Sequence, residues 1–355
     1  VLLAGGKGSR LHDLTAAESK PAVHFAGRNR IVDFAMANVV RSGLDRLIVA
    51  TQFAPRTLHD HLPARWGQHF ARGGMVLRDG RDRYQGTADA VRRNWDHIGD
   101  CDADQVLVLA ADHIYDMDYG PLIAAHRASG AAVTVAVDVV ALSQASGFGV
   151  MHTDPGGRIL SFLEKPADPP AIPGEPDKAM VSMGIYVFEA AWLRDALFGQ
   201  DTHATDFGHQ VIPAAVAKGL ACAYRLPTGP SGHTYWRDVG TLDALRRSHL
   251  DFLSSHPARL PRMSTLSEWY LGRDSVAMPG ALVPASARLT RCLVAPGTHV
   301  PPGLVVGEDA HEDARWFRRD RDTILITQAM LDRRDTLRVP VSAAARTAMP
   351  RQDVA

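Results

Sequence analysis

The strongest constraint on the fold is an alternation of short, continuously apolar runs with helical stretches. Val1-Leu2-Leu3-Ala4, Arg46-Leu47-Ile48-Val49-Ala50 and Gln105-Val106-Leu107-Val108-Leu109-Ala110 read as buried strands. Between them lie helical patterns over residues 32–41, closed by Gly43, and over residues 87–98, where Thr87 is placed to cap and Asp89 falls in the first turn. Strands apolar on both faces and joined through helices predict an α/β fold on a mostly parallel sheet covered on both sides. Ligands of such sheets gather at the carboxyl ends of the strands. More strands are expected over residues 132–139, 147–152, 158–164 and 180–188, then helices near 190–197 and 206–217. The tighter spacing there makes the sheet mixed. Residues 166–176, rich in proline, must form an irregular surface loop, and a helix over 241–253 closes the large domain.

After Ser254 the texture changes to proline, glycine and short valine-rich pieces. Val283 and Leu289 are six apart, as are Val294, Val300 and Val306, with glycine and proline at the turns. A six-residue apolar period marks a left-handed parallel β-helix, in which each side of a triangular coil contributes one inward residue. The period lasts only about two coils, and a Pro-rich tail lying against the main domain is the alternative. The expected organisation is a catalytic domain over residues 1–254, a linker and reduced β-helix over 255–335, and a flexible tail over 336–355.

With 355 residues, 46% of them hydrophobic and 22% charged, the chain can bury a large core. Lysine plus arginine balances aspartate plus glutamate at 39 each, so no net field draws it to nucleic acid or to an anionic membrane. A polyanionic ligand must be met by a local site. Cys101, Cys222 and Cys292 are far apart and form neither a disulfide framework nor a zinc cluster. No apolar run approaches the roughly 20 residues that span a bilayer, and a cytoplasmic location is expected. The sequence opens directly in a strand, as expected of a chain lacking its first few native residues. Only five basic residues are lysines, Lys7, Lys20, Lys165, Lys178 and Lys218, so a lysine beside a glycine loop or in a Glu-Lys-Pro turn calls for a reason. A flexible ammonium reaching a phosphate is one.

The first strand runs into Gly5-Gly6-Lys7-Gly8-Ser9-Arg10-Leu11, where dense glycines let the backbone approach a ligand and successive N–H groups form an anion nest. A triphosphate fits such a turn, with Arg10 and Lys7 to neutralise its charge. The order is neither GxGxxG nor GxxxxGK[ST], so dinucleotide and P-loop readings fail on spacing. Lys20, in Lys20-Pro21-Ala22, is either a second phosphate cation or an exposed loop charge. Asp112 closes a strand end and suits Mg²⁺, or is a loop carboxylate. Asp238, in Tyr235-Trp236-Arg237-Asp238-Val239-Gly240-Thr241, is a second metal ligand or merely caps the helix beginning at Thr241. Two carboxylates on one ion would clamp an α-phosphate as pyrophosphate leaves. Glu164-Lys165-Pro166 ends another strand: the acid can accept sugar hydroxyls and the ammonium pair with a sugar phosphate, or the two form an intra-turn ion pair. Trp236 and Tyr84 read as core or lid residues, His24 and His113 as ordinary fold or surface residues. No serine, cysteine or histidine has a convincing triad partner.

Taken together, LLAGGKGSRLHDLT, KPAVHFAGRNRIVDFAMANVVRSG, ATQF, YQGTADAVRRN, LAADHIYDMDY, FLEKPADPP, SMGIYVFEA, DFGHQVIPA and YWRDVGTLDAL resemble the ADP-glucose pyrophosphorylase (glucose-1-phosphate adenylyltransferase) family of sugar nucleotidyltransferases. They run from Val1 to about Phe252, and VPPGLVVGEDAHEDARWF looks like the closing coil of that family's β-helix. The resemblance implies a Rossmann-like (GT-A-like) nucleotidyltransferase domain that makes ADP-glucose from ATP and glucose 1-phosphate for glycogen or another α-glucan. It implies Mg²⁺ as cofactor and a homo-oligomer, a tetramer in the family. By position, Gly5, Gly6, Gly8, Arg10 and Lys20 would hold the triphosphate, with Gly86 and Thr87 near the nucleoside. Asp112 and Asp238 would bind the metal, and Arg10, Lys20, Asp112 and Asp238 would form the catalytic set. Gly149, Glu164, Lys165 and Ser182 would hold the sugar phosphate with Tyr84, while Tyr84 and Gln52 would also sit on loops that couple a regulator to the site.

Three departures bear on that expectation. Met75-Val76-Leu77-Arg78-Asp79-Gly80 replaces the segment that reads adenine, the loop before Tyr84 is short with Arg83 where a tryptophan is usual, and Arg28 stands where a regulatory lysine is common. Most β-helix coils are also missing. A pyrophosphorylase using UTP, dTTP or GTP, and a non-catalytic regulatory subunit, are the rival readings. The joint presence of Arg10, Lys20, Asp112, Lys165 and Asp238 weighs against the second.

Overall fold

The computed structural model describes residues 1–81, 83–199, 204–226, 235–253, 260 and 264–338. The chain divides into two compact units, Val1–Ser264 and Thr265–Ala355. The boundary therefore falls about ten residues beyond the one expected from composition. That expected boundary, at residues 254 and 255, and the expected tail beyond residue 338 lie outside the described residues.

The first unit is built on a nine-stranded sheet. Its strands in chain order are Leu2–Ala4 (β1), Leu47–Thr51 (β2), Met75–Asp79 (β3), Gln105–Ala110 (β4), Val133–Ala141 (β5), Gly149–Thr153 (β6), Ile159–Glu164 (β7), Lys178–Glu189 (β8) and Ala221–Arg225 (β9). The spatial order is β7-β6-β8-β4-β1-β2-β3, with β5 pairing both β8 and β9. β1, β2, β3 and β4 are mutually parallel, whereas β8 runs antiparallel to β4, β5 and β6. The sheet is mixed, as the tightening of the strand spacing implied. β3 and β9 escaped the sequence reading: each carries only a brief apolar run, Met75-Val76-Leu77 and Ala221-Cys222-Ala223-Tyr224, and is largely half-buried.

Alternation along the strands assigns side chains to two cores, one on each face. Leu109, Ile185 and Val187 pack with the helices Val32–Arg41 and Arg56–Trp66, while Val106, Val108 and Phe188 pack with Ala190–Phe198 and the segment from Phe207 to Ala215. Phe188 is fully buried and its ring stacks on Phe207 at 5.2 Å. Residues 87–98 form two short helices, Thr87–Arg92 and Trp95–Gly99. The break is at Asn94, whose buried side chain donates to the Ala90 carbonyl (2.7 Å) and to the Tyr84 hydroxyl (2.8 Å). Thr87 does not cap its own helix: its hydroxyl donates to Asp206 and accepts from the Phe207 N–H, while the amides of Ala88 and Asp89 donate to the Thr205 carbonyl.

In the second unit Ser275–Ala277, Cys292–Val294 and Thr323–Ile326 pair in parallel along one side. Arg288–Leu289 pairs in parallel with Val305–Val306 on a second side, and Leu282 bridges His299 on a third. The pairings Val276–Leu293, Leu282–His299 and Arg288–Val305 step by the same number of residues, one coil. Leu289, Val294, Val300 and Val306 are buried, as the six-residue period requires, and Val283 is half-buried. A helix, Ala310–Trp316, interrupts the coil before its last strand. Among the described residues no helix is long and apolar enough to cross a membrane.

Removing the Phe188 ring leaves a void in a sealed core, so Phe188→Ala should lower the unfolding free energy of the first unit by about 3–5 kcal/mol in urea titrations. His249, packed on Phe25 at 4.1 Å, and His24 are both lowered from 6.5 to about 4, chiefly by burial. Unfolding exposes them and lets them take up protons first. Their contribution to stability is therefore complete above pH 6.5 and declines as the pH falls toward about 4. Urea midpoints measured across that window should move downward with pH.

Candidate active site

The carboxyl ends of β1 and β4 open onto a cleft of about 650 Å³ in the first unit. It is lined by nearly every site residue expected from the sequence, Lys7 excepted: Gly5, Gly6, Gly8, Arg10 and Lys20; Tyr84, Gly86, Thr87 and Asp112; Gly149, Glu164, Lys165, Ser182 and Asp238.

The glycine turn leaves β1 and is braced by its own neighbours. The Thr15 hydroxyl donates to the Gly8 carbonyl (2.9 Å), and the Lys20 amide donates to the Gly6 carbonyl (3.2 Å). Gly8 has φ +68°, and a Cβ there would lie 2.5 Å from Lys20 Cβ, so only glycine fits. Lys7 points elsewhere, its ammonium 5.1 Å from the centre of the Phe53 ring.

Lys20 begins the short turn Lys20–Ala22, whose Pro21 presets the helical φ. Its side chain is only 6% exposed, and its ammonium donates to Asp112 Oδ2 (3.0 Å) and Asp238 Oδ1 (2.7 Å). Lys20 is therefore a buried bridge rather than an exposed loop charge. The two aspartates, far apart in sequence, meet because Trp236–Asp238 forms an antiparallel ladder with His113–Tyr115, setting Asp238 opposite His113 and beside Asp112. Asp238 is no helix cap, since the Thr241 hydroxyl accepts from the Ala244 amide. Arg10 lies 3.7 Å from Asp238 Oδ2.

Burial opposes the charge on Lys20, but the two carboxylates outweigh it and its pKa is raised. Burial likewise opposes ionisation of Asp112, yet Lys20 and then His113 hold its carboxyl well below the usual carboxylate range. A pair of carboxylates already gripping one cation has the donor set of a divalent site that takes its remaining ligands from substrate phosphates. Among the described residues no group of three histidine, cysteine, aspartate or glutamate side chains could hold a metal by itself. His113, read from sequence as an ordinary residue, is the notable addition: one ring nitrogen faces the Met183 carbonyl (3.2 Å), and the other lies 3.7 Å from Asp112 and 3.9 Å from Asp238.

Across the cleft, register sets Gly149 opposite Glu164 at the ends of β6 and β7. Lys165 follows in a left-handed conformation (φ +47°), its ammonium donating to Glu164 Oε1 (2.7 Å) while the side chain is 61% exposed. Ser182 sits where β8 slips register against β5, and its hydroxyl donates to the Tyr186 oxygen (3.3 Å). Such an irregularity re-aims a side chain. Burial raises the Tyr186 phenol to about 12, so it stays a hydroxyl. Tyr84 shares the cleft but not this cluster: it lies against Gly80, accepts from Asn94, and its carbonyl accepts from Gln52 (3.2 Å).

Tyr186, Asp206, Phe207 and Gly208 also line the cleft without having been singled out. The signal was present in the DFGHQVIPA stretch, where the backbone makes a π-turn over Phe207–Val211 capped by the Asp206 side chain. Its wide turn brings Gly208 so close to Glu164 that a Cβ would lie 2.3 Å from Oε2.

Fold and cleft together are those of a nucleotidyltransferase, and the nucleotidyl transferase family matches residues 1–255. The GlmU-like C-terminal hexapeptide family matches residues 261–327, which makes the second unit's coil a left-handed β-helix. A glucose-1-phosphate adenylyltransferase from Cereibacter sphaeroides is 39% identical, with 94% of this chain and 95% of the relative covered. One from Jannaschia sp. is also 39% identical, over 94% of this chain and 96% of its own. The chain belongs to the glucose-1-phosphate adenylyltransferase family. The first alignment runs over 402 positions, more than the chain's 355 residues, so the relative carries segments that this chain lacks.

Alanine at position 8 would have to adopt the left-handed conformation and push against Lys20. Gly8→Ala should therefore cost about 1–3 kcal/mol of stability by urea titration, and more than Gly6→Ala, where a Cβ meets nothing within 4 Å.

Proposed function

We propose that this chain joins ATP to α-D-glucose 1-phosphate, releasing pyrophosphate and forming ADP-glucose, with Mg²⁺ as its divalent ion. The observation that carries this reading is the convergence of Asp112 and Asp238 on one cation, beside the glycine turn and at the carboxyl ends of the parallel strands. The names of the relatives supply the substrates. When bound, Mg²⁺ would offset charge on the α-phosphate and the departing pyrophosphate.

Asp112 and Asp238 would hold that ion. The amides of the Gly5–Gly8 turn would receive the triphosphate, with Arg10 and Lys20 supplying positive charge. Glu164 would accept from sugar hydroxyls, and Lys165, whose ammonium is largely exposed to the cleft, would pair with the sugar phosphate. Gly149 and Ser182 would complete that end. Tyr84 belongs by its contacts with Gln52 and Gly80 at the nucleoside end, near Gly86 and Thr87, rather than with the sugar phosphate. The sugar phosphate oxygen attacks the α-phosphorus, a new P–O bond forms, and the bond to the bridging oxygen breaks with its electron pair leaving on pyrophosphate. No covalent intermediate is needed, so positioning and electrostatics supply the catalysis.

A second reading, another base, has one observation in its favour: no residue of β3 lines the cleft, although that segment stands where the family reads adenine. Pyrophosphate release measured with glucose 1-phosphate and each of ATP, UTP, dTTP and GTP tests both readings. ATP should give the highest kcat/KM. A clear preference for another triphosphate would replace the base, and release with none would sink the reaction.

Asp112→Asn should lower kcat by about 10²–10³-fold while circular dichroism shows the fold retained, because that side chain is one-third exposed and forms no part of the core. Lys165→Ala should raise KM for the sugar phosphate by about 10–100-fold, the loss of one charge-assisted hydrogen bond, with a much smaller change in KM for ATP. An unchanged sugar-phosphate KM would remove Lys165 from the site.

A further inference from the structure

The ammonium of Lys20 occupies the position between Asp112 and Asp238 that a shared divalent ion would need. Its nitrogen lies 2.7 and 3.0 Å from the two facing oxygens. Magnesium binds carboxylate oxygens at about 2.0–2.1 Å, so an ion bridging the same two oxygens competes directly with the ammonium that now holds them. The two cations exclude one another.

The lysine is also placed to leave. Its backbone and Cβ are fixed, by the Lys20 N–H to Gly6 and by the close approach of Gly8, whereas the rest of the side chain is an unbranched stem with rotatable bonds. The same contacts put the base of that stem against the turn that would receive a triphosphate. A bare metal ion must expel the ammonium from two charged partners and offer it none in return. A metal arriving with a polyphosphate supplies new anionic oxygens within reach of the stem, so the cost of displacement is recovered.

We propose that Lys20 is the resident counter-ion of the Asp112–Asp238 pair and competes with the divalent cation for it, so that the protein alone binds bare divalent cation weakly and the exchange becomes favourable when a triphosphate arrives with the metal. This rests on the metal assignment made under the proposed function and adds an order to it: metal and nucleotide enter together, and Lys20 passes from carboxylates to phosphate. Lys20 thus has two partners at two stages, which accounts both for its burial between carboxylates and for its place beside the glycine turn.

Binding of Mn²⁺ alone, followed by electron paramagnetic resonance on the full-length protein, tests the exchange. Lys20→Met and Lys20→Gln should bind Mn²⁺ about tenfold or more tightly than the wild type, the size of an ordinary site-to-site coupling, and each gain should vanish on adding Asp112→Asn. Equal affinities in wild type and both variants would overturn the proposal. A readout on the wild type needs no variant to fold. With only five lysines in the chain, reductive methylation followed by peptide mass spectrometry reports each one. Saturating Mg²⁺ alone should raise methylation of Lys20 by about tenfold while leaving Lys178 and Lys218 unchanged, and an unaltered Lys20 rate would again overturn the exchange. The two readings fail separately. Pyrophosphate release without any effect of Lys20 on metal affinity defeats only the exchange, and the affinity difference without pyrophosphate release defeats only the reaction.

Discussion

The site depends on one ammonium held between two carboxylates. Without Lys20, Asp112 and Asp238 would face each other as like charges, partly withdrawn from water and repelling one another. With it, the two carboxylates are held together by a shared cation, and Arg10 adds positive charge on the solvent side. The pairing also explains why segments so distant in sequence converge. A residue at the start of the chain, one just past the fourth strand and one near the end of the domain share a single charge cluster, closed by the ladder that sets Asp238 opposite His113.

The mixed sheet divides the work of the cleft. Its parallel half, β1 to β4, directs carboxyl ends and the glycine turn toward one end of the cleft, where sheets of this kind display anions. Its antiparallel half brings in Glu164 and Ser182 from strands running the other way and Gly149 from the strand between them, and breaks regularity where side chains must turn: at the register slip after Ser182, at the left-handed Lys165 and at the π-turn following Asp206.

The second unit shows how little sequence a solenoid needs to be recognisable. Val294, Val300 and Val306 are buried at six-residue steps, Leu289 lies six residues after Val283, and parallel pairing joins successive coils on three sides. The stack is short. A helix, Ala310–Trp316, precedes its last strand, and the Cereibacter relative carries segments that this chain lacks.

Much of this was legible in the linear chain, because strands buried on both faces must be continuously apolar and a glycine turn after a strand is a local event. The helix Val32–Arg41, the three core strands β1, β2 and β4, and the chemistry of Gly5–Arg10, Glu164–Lys165 and Asp112 are all properties of neighbouring residues. What the chain could not disclose are relations between distant residues. Whether Lys20 was a loop charge or a buried bridge, whether Asp238 capped a helix or faced a ligand, that Thr87 serves another helix than its own, and that His113 lies beside both carboxylates were decided by packing and register. Sequence determines which residues can carry charge, turn or pack, since those are properties of single side chains and their neighbours. Only the tertiary structure decides which charges meet, since the energy of a charge depends on its partner and on the water excluded around both.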